Sequence, residues 1–317
     1  MPKKNKAPPP IHAEQTASET FATLLRHNLD QVLLWQEAAH SWEDIEGVHQ
    51  MRVGFRRMRS ALSLFRDAIP REATASWNDE MRWIAGELGP ARDLDVFIAE
   101  GLGPVADLLP LPGAERLLKL AERRRAEVYQ QRVVPMLDSE RFRRFRVEFP
   151  IWLDTRAWEK AHLKKKQAKR LHSDIVGYAR GLLDKQERRV LAAGTHVDRD
   201  VAAEMHQLRI QCKKLRYAAE FFQPLFGGMD VFIGHMKGLQ DLLGVMNDVA
   251  VTHQLFDDLL ITSTDRELNV YAGGFIGWRS CEFRHLLLSF DQYWEELVEA
   301  KHPWWKKQAG AGKKPDS

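Results

Sequence analysis

Cysteine is almost missing. Cys212 and Cys281 are the two in 317 residues, and neither belongs to a CxxC pair. That argues against a disulfide framework and a cysteine-based zinc site, and it predicts a reducing compartment. Long apolar runs are missing too: none approaches the roughly eighteen residues that a membrane-spanning helix needs. The N-terminus, MPKKNKAPPP, is basic and proline-rich with no apolar stretch behind it, so it does not read as a secretory signal. A cytoplasmic protein without a membrane partner is expected. Catalytic signatures are equally scarce. There is no GxSxG, no GxxxxGK[ST] loop, and no HxxxH or HExxH pair, and the acids are not spaced as a metal site or an acid–base couple would need. A protein with no metal, no cofactor and no catalytic activity is the expectation.

A large excess of one charge is also lacking. The formal net charge is +3 and the pI about 8.8, so any strong positive field must come from how charge is distributed. Locally the balance does fail. No Asp or Glu occurs between 47 and 66, a stretch that contains HQMRVGFRRMR at 49–59. Residues 206–216 read HQLRIQCKKLR, nearly the same sentence.

Between the ends almost everything has helical period. Amphipathic spacing predicts helices over 20–40, 45–67, 73–88, 92–102, 115–137, 139–154, 160–192, 200–224, 229–245, 247–261 and 267–299. Predicted breaks fall at Gly89-Pro90, Gly103-Pro104, LPLPG (109–113), Gly227-Gly228 and Gly273-Gly274. No alternating strand pairs are visible. The fold class expected is all-α, built from antiparallel helical bundles with short connections.

An internal repeat organises the chain. Met51, Val53, Met58 and Phe65 match Leu208, Ile210, Leu215 and Phe222 at a spacing of 157 residues. LGPARDLDV (88–96) resembles LGVMNDVAV (243–251) at a spacing of 155, which also pairs Arg82 with Lys237, Arg124 with Arg279 and Glu127 with Glu282. The expected layout is a disordered tail over 1–13, a body over 14–300 made of halves 14–157 and 158–300, and a tail over 301–317. HPWW (302–305) is expected to staple the end of the body. Trp35, Trp83, Trp158 and Trp278 read as core residues, and KKKQAKR (164–170) as a solvated face that widens the positive surface.

On a helix turning about 100° per residue, His49, Arg52, Arg56 and Arg59 fall within about 80° of one another. Met51, Phe55, Met58, Leu62 and Phe65 form the neighbouring apolar band. His206, Arg209, Lys213 and Arg216 repeat the stripe beside Leu208, Cys212, Leu215, Ala219 and Phe222. Arg57 and Lys214 point to another side and are weaker candidates. A solvated face normally laces cations with acids at i,i+4, which the first stripe lacks. Arginine forks suit phosphate or carboxylate oxygens. Asp93 and Asp248 are the acids that could neutralise the stripes, although Asp93 also reads as the cap of a helix starting after Gly89-Pro90. The reading is a site for a long, multiply charged anion. Nucleic acid competes, but the basic positions carry no interleaved aromatics, and Tyr217 reads as lying off the cluster.

These blocks resemble a family. VHQMRVGFRRMRSALSLF (48–65), MHQLRIQCKKLRYAAEFF (205–222), LGPARDLDV and LGVMNDVAV are similar to the duplicated motifs of the CHAD domain, and the resemblance runs from about residue 14 to about 300. It implies two four-helix bundles related by pseudo-two-fold symmetry, and inorganic polyphosphate bound in a basic channel on that axis. It implies phosphate-binding roles for His49, Arg52, Arg56, Arg59, His206, Arg209, Lys213 and Arg216, with Arg82, Lys237, Arg124 and Arg279 as additions. Asn247, where the first copy has Arg92, is a departure that makes the halves unequal. Many relatives carry a triphosphatase domain of the CYTH type. No such region is read here, so a non-catalytic polyphosphate binder, placed on polyphosphate granules, is expected. Other polyanions, a nucleic-acid backbone, or a metal-dependent phosphohydrolase accessory role are the alternatives. Oligomeric state is left open.

Overall fold

The computed structural model describes residues 8–261 and 263–305, with the Asn247 side chain excepted. The helices are α1 (Ala17–Leu34), α2 (Gln36–Ser41), α3 (Glu46–Leu64), α4 (Ala75–Val96), α5 (Gly103–Val105), α6 (Ala114–Val128), α7 (Val134–Asp138), α8 (Glu140–Asp154), α9 (Lys165–Leu171), α10 (Ile175–Gly194), α11 (Ala202–Phe222), α12 (Met229–Leu260), α13 (Arg266–Leu287) and α14 (Phe290–Val298). The described residues contain no strand, so the chain is all-α. Two backbone segments meet in an isolated bridge, Thr16 with Asp174. These are the N-caps of α1 and α10, each with its own side chain on the first turn. The helix starts also exchange bonds: Ala17 N donates to Ser173 O and Ile175 N to Gln15 O, both at 3.0 Å.

The order α1, α3, α4, α6 recurs as α10, α11, α12, α13. Both apolar bands read from the sequence are buried. Met51, Phe55, Met58, Leu62 and Phe65 sit in the same core as Leu208, Cys212, Leu215, Ala219 and Phe222. Fully burying such a side chain contributes about 1.5–3 kcal/mol. A smaller cluster, with Phe97, Phe256 and Phe275 at its centre, lies apart from that core and joins the end of α4 to α12 and α13.

Several predicted breaks are not breaks. Pro90 lies inside α4, which runs on through Val96. A proline frees the carbonyl four residues back, and here Arg132 Nη2 reaches that oxygen, Gly86 O, at 3.4 Å. Asp93 is therefore mid-helix and caps nothing. α12 passes unbroken across the break expected between 245 and 247, and α13 through Gly273-Gly274. Gly274 is there for space: a Cβ would stand 2.6 Å from Leu111 Cδ1 in the LPLPG loop. The helical path also continues past Gly103-Pro104 to Val105. Conversely, the stretch predicted as one helix over 160–192 breaks before Asp174, and 267–299 breaks at Leu288-Ser289.

The body extends past both expected edges. Ile11 and Trp304 are buried in the core, and Pro303 is buried beside Trp304. Trp304 stands edge-on to Phe232, and the Trp304 and Trp305 indoles both donate to Asp184 Oδ1 at 2.7 Å. The remaining parts of the two expected tails, 1–7 and 306–317, lie outside the described residues. Trp35 and Trp158 are core residues as read, but Trp278 is 40 % exposed and Trp83 lies under the Arg141 guanidinium, 4.1 Å from its carbon.

Candidate functional site

α3 and α11 pack on one another. Phe65 and Phe222, one helical half each, meet with ring centroids 6.3 Å apart. One turn or two back, Arg57 Nη2 donates to Glu220 Oε2 at 2.5 Å, and the Arg56 guanidinium sits over the Tyr217 ring, 5.6 Å from its centroid. Arg56 of the first half therefore reaches the stripe of the second. Its charge is felt by both Arg209 and Lys213.

On α3, Arg52 is half-buried and lies across α4. Its Nη1 donates to Ala85 O at 2.8 Å. Gly89 makes the room, since a Cβ there would stand 3.0 Å from Arg52 Nη1. Burial lowers the Arg52 pKa, Asp93 opposes that, and Arg56 and Arg92 add to it. Burial raises the Asp93 carboxyl, against the pull of Arg52 and Arg92. Arg59 Nε donates to Asn78 Oδ1 at 3.3 Å. Its pKa is lowered by burial and by Arg82, with Asp79 opposing, and Arg82 itself pairs with Asp79 at 3.5 Å.

On α11, Arg209 is half-buried. Burial lowers its pKa, Asp248 opposes, and Arg56 adds to the lowering. Its Nε is buried with no hydrogen-bond partner among the described residues. Lys213 is pushed down to about 7 by burial, then by Arg209, Arg56 and Arg216, with Asp248 pulling the other way. Arg216 is held twice, Nε to Glu220 Oε1 at 2.8 Å and Nη1 to Gln240 Oε1 at 2.9 Å. Glu220 thus bridges Arg57 of one half to Arg216 of the other. Arg56 couples Arg52 of its own helix to Arg209 and Lys213 of the other, with Asp93 opposing at Arg52 and Asp248 at Arg209 and Lys213.

The remaining candidates divide. His49 is half-buried and His206 exposed on the first turns of the two stripes. Lys237 is exposed on α12. Arg124 pairs with Glu127 at 3.0 Å, and its repeat counterpart Arg279 with Glu282 at 2.6 Å; these pairs sit on α6 and α13, which pack on each other. Arg57 is committed to Glu220. Lys214 faces away, toward Arg66 and Arg189. Two participants were missed from sequence. Tyr217, read as off the cluster, is buried beneath Arg56. Glu220 was not weighed; it holds Arg216 of the second stripe and Arg57 of the other half, and its i,i+4 spacing from Arg216 was the available signal. The Asn247 side chain lies outside the described residues. Among the described residues, no three His, Cys, Asp or Glu side chains gather as metal ligands would, and no helix is long and apolar enough to cross a membrane.

A family model for the CHAD domain matches residues 23–257, which contain both stripes and both aspartates. The chain belongs to the CHAD domain family. The crystal structure of the CHAD domain from the plant Ricinus communis superimposes with a TM-score of 0.78 at 25% identity, covering 92% of this chain and 95% of that one. PptA from Streptomyces chartreusis shares the fold, with a TM-score of 0.63 at 17% identity over 89% of this chain and 100% of that one. Two curated relatives, "Uncharacterized protein MT2285" and "Uncharacterized protein Rv2226" of two Mycobacterium tuberculosis strains, are each 29% identical over 247 residues. The match covers 76% of this chain but 45% of theirs, so this CHAD chain spans less than half the length of those relatives.

Proposed function

We propose that this CHAD domain binds inorganic polyphosphate lengthwise between α3 and α11, holds it without cleaving it, and can thereby sit on polyphosphate granules. The observation that carries the reading is like-charge crowding across the two halves. Arg56 of α3 stands among Arg209 and Lys213 of α11, and burial and that crowding hold Lys213 near 7. Such an arrangement costs free energy in the empty protein, and a row of phosphates relieves it through charge-assisted hydrogen bonds. The stripe from His49 to Arg59 is about 15 Å long at 1.5 Å per residue, which suits a chain of several phosphates. Nucleic acid fits less well. Tyr217, the aromatic ring found at the stripe, is 5% exposed beneath Arg56 and offers no open face to a base.

The test is a titration with polyphosphates of several lengths at two salt concentrations, with single-stranded RNA as competitor. Length-dependent binding that RNA fails to displace supports the reading. Arg52→Ala combined with Arg209→Ala removes two charge-assisted contacts, each worth about 1.5–3 kcal/mol, so affinity should fall by at least about a hundredfold. Unchanged affinity of that double variant at moderate salt would remove the stripes from the site.

A further inference from the structure

Lys214 turns its back on the α3–α11 space, and what it faces is a second basic cavity of about 1000 Å³ between the C-terminal end of α3, α10 and the opposite flank of α11. Arg66, Arg170, Lys185, Arg188, Arg189 and Lys214 line it, against two carboxylates. Both acids are already engaged, Asp67 by Lys185 first and by the charges of Arg170 and Arg189 after it, so six cations share two carboxylates. Asp67 is taken by Lys185 at 2.5 Å, and Asp174 caps α10 by accepting from Gly177 N at 2.7 Å. Among the described residues no carboxylate pairs with Arg66, Arg189 or Lys214. Burial, Arg189 and Arg66 instead lower the Lys214 pKa.

A solvated basic face would spread its cations apart, but four segments converge these on one concavity. The cavity also contains a donor with nothing to give to: Tyr178 Oη is buried without a hydrogen-bond partner among the described residues. The Tyr178 ring is stacked on Phe65, with centroids 5.2 Å apart, so it is not a platform for a base. α9 brings the basic run 164–170 to the rim through Arg170. The two halves differ here. Gly54 lets α1 close on α3, where a Cβ would stand 2.5 Å from Val32 Cγ2. Its counterpart in the repeat is Gln211, which lines the cavity, and the counterpart of Lys214 is Arg57, which Glu220 neutralises.

We infer that the α3–α10–α11 cavity is a second anion site, selective for condensed phosphate without an aromatic base, and separate from the space between the stripes. The inference uses the same ligand chemistry as the proposed function but none of the stripe residues, so one site can fail without the other. One molecule would then hold two phosphate segments on opposite flanks of α11.

The test is competitive acylation of the full chain with an amine-reactive acetyl ester, read residue by residue by mass spectrometry, with and without inorganic tripolyphosphate at constant ionic strength. Tripolyphosphate should slow acylation of Lys214 at least about fivefold, and should still do so in the Arg52→Ala/Arg209→Ala variant. Arg66→Gln with Arg189→Gln should abolish protection of Lys214 while leaving that of Lys213 intact. The wild-type measurement needs no variant to fold. Protection of Lys213 alone, with Lys214 acylated at its free rate, overturns the second site and leaves the first. Protection of Lys214 alone keeps the second site and removes the first. If a single-stranded RNA protects Lys214 and tripolyphosphate does not, the cavity is a nucleic-acid site and the inference fails.

Discussion

Lys213 is where burial and charge meet most sharply. The unfolded chain holds its proton up to about pH 10.4, whereas the folded, empty site releases it near 7. A depressed lysine of this kind destabilises the fold most below 7, so the ligand-free protein should gain stability as pH rises through that window. Ligand reverses the balance. An anion beside Lys213 favours the charged form, so binding takes up a proton and polyphosphate affinity should fall as pH rises above 7. Calorimetry in two buffers of different ionisation enthalpy measures the uptake, and Lys213→Met should flatten the pH profile above 7. Parallel profiles for the two proteins would show that Lys213 does not titrate with binding. At this scale the stripes were legible because helical period alone aligns Arg52, Arg56 and Arg59. Tyr217 and Glu220 were not, because their roles depend on where α3 crosses α11, which no spacing within one helix records.

Among the elements, α4 teaches most about reading glycine and proline. Gly89-Pro90 looks like punctuation, yet the helix continues because side chains take the neighbouring carbonyls: Arg132 at Gly86 O and Arg52 at Ala85 O. The pair therefore opens a seat for an arginine. Gly89→Ala should leave the melting temperature unchanged or raise it, since alanine favours helix by up to about 1 kcal/mol over glycine. The same change should displace the Arg52 guanidinium and weaken polyphosphate binding several-fold. A variant that binds normally would show that Arg52 does not need this seat. The C-terminal staple behaves differently. Trp304 is fully buried against Phe232, and Trp304→Ala should cost about 3–5 kcal/mol in urea unfolding. A loss below about 1 kcal/mol would mean the segment contributes little. HPWW was readable as an anchor because a large indole gains from burial, which Trp304 finds while Trp305 stays exposed, but the partner Asp184, more than a hundred residues away, was not readable.

Taken whole, the molecule concentrates a modest net charge on two flanks of one helix. Affinity for polyphosphate should therefore depend steeply on salt by counterion release, falling about two orders of magnitude between about 50 and 200 mM for five or six phosphate contacts. A shallow dependence, measured by titration across that range, would mean that few phosphates are contacted. The duplication was visible because both halves keep the same core band beside the same stripe. The exchange of bonds between the starts of α1 and α10, Ala17 with Ser173 and Ile175 with Gln15, joins the copies in a way that no motif announces.

Arg52 rests on the Ala85 carbonyl and Arg216 on Gln240 and Glu220. Their rotamers are already restricted, so an arriving phosphate chain orders its own bonds but few of the protein's. Most of the conformational entropy lost on association should then belong to the ligand. A stiffened or cyclic metaphosphate of matching length, which has less of that entropy to lose, should bind this preorganised surface more tightly per phosphate than the linear chain does.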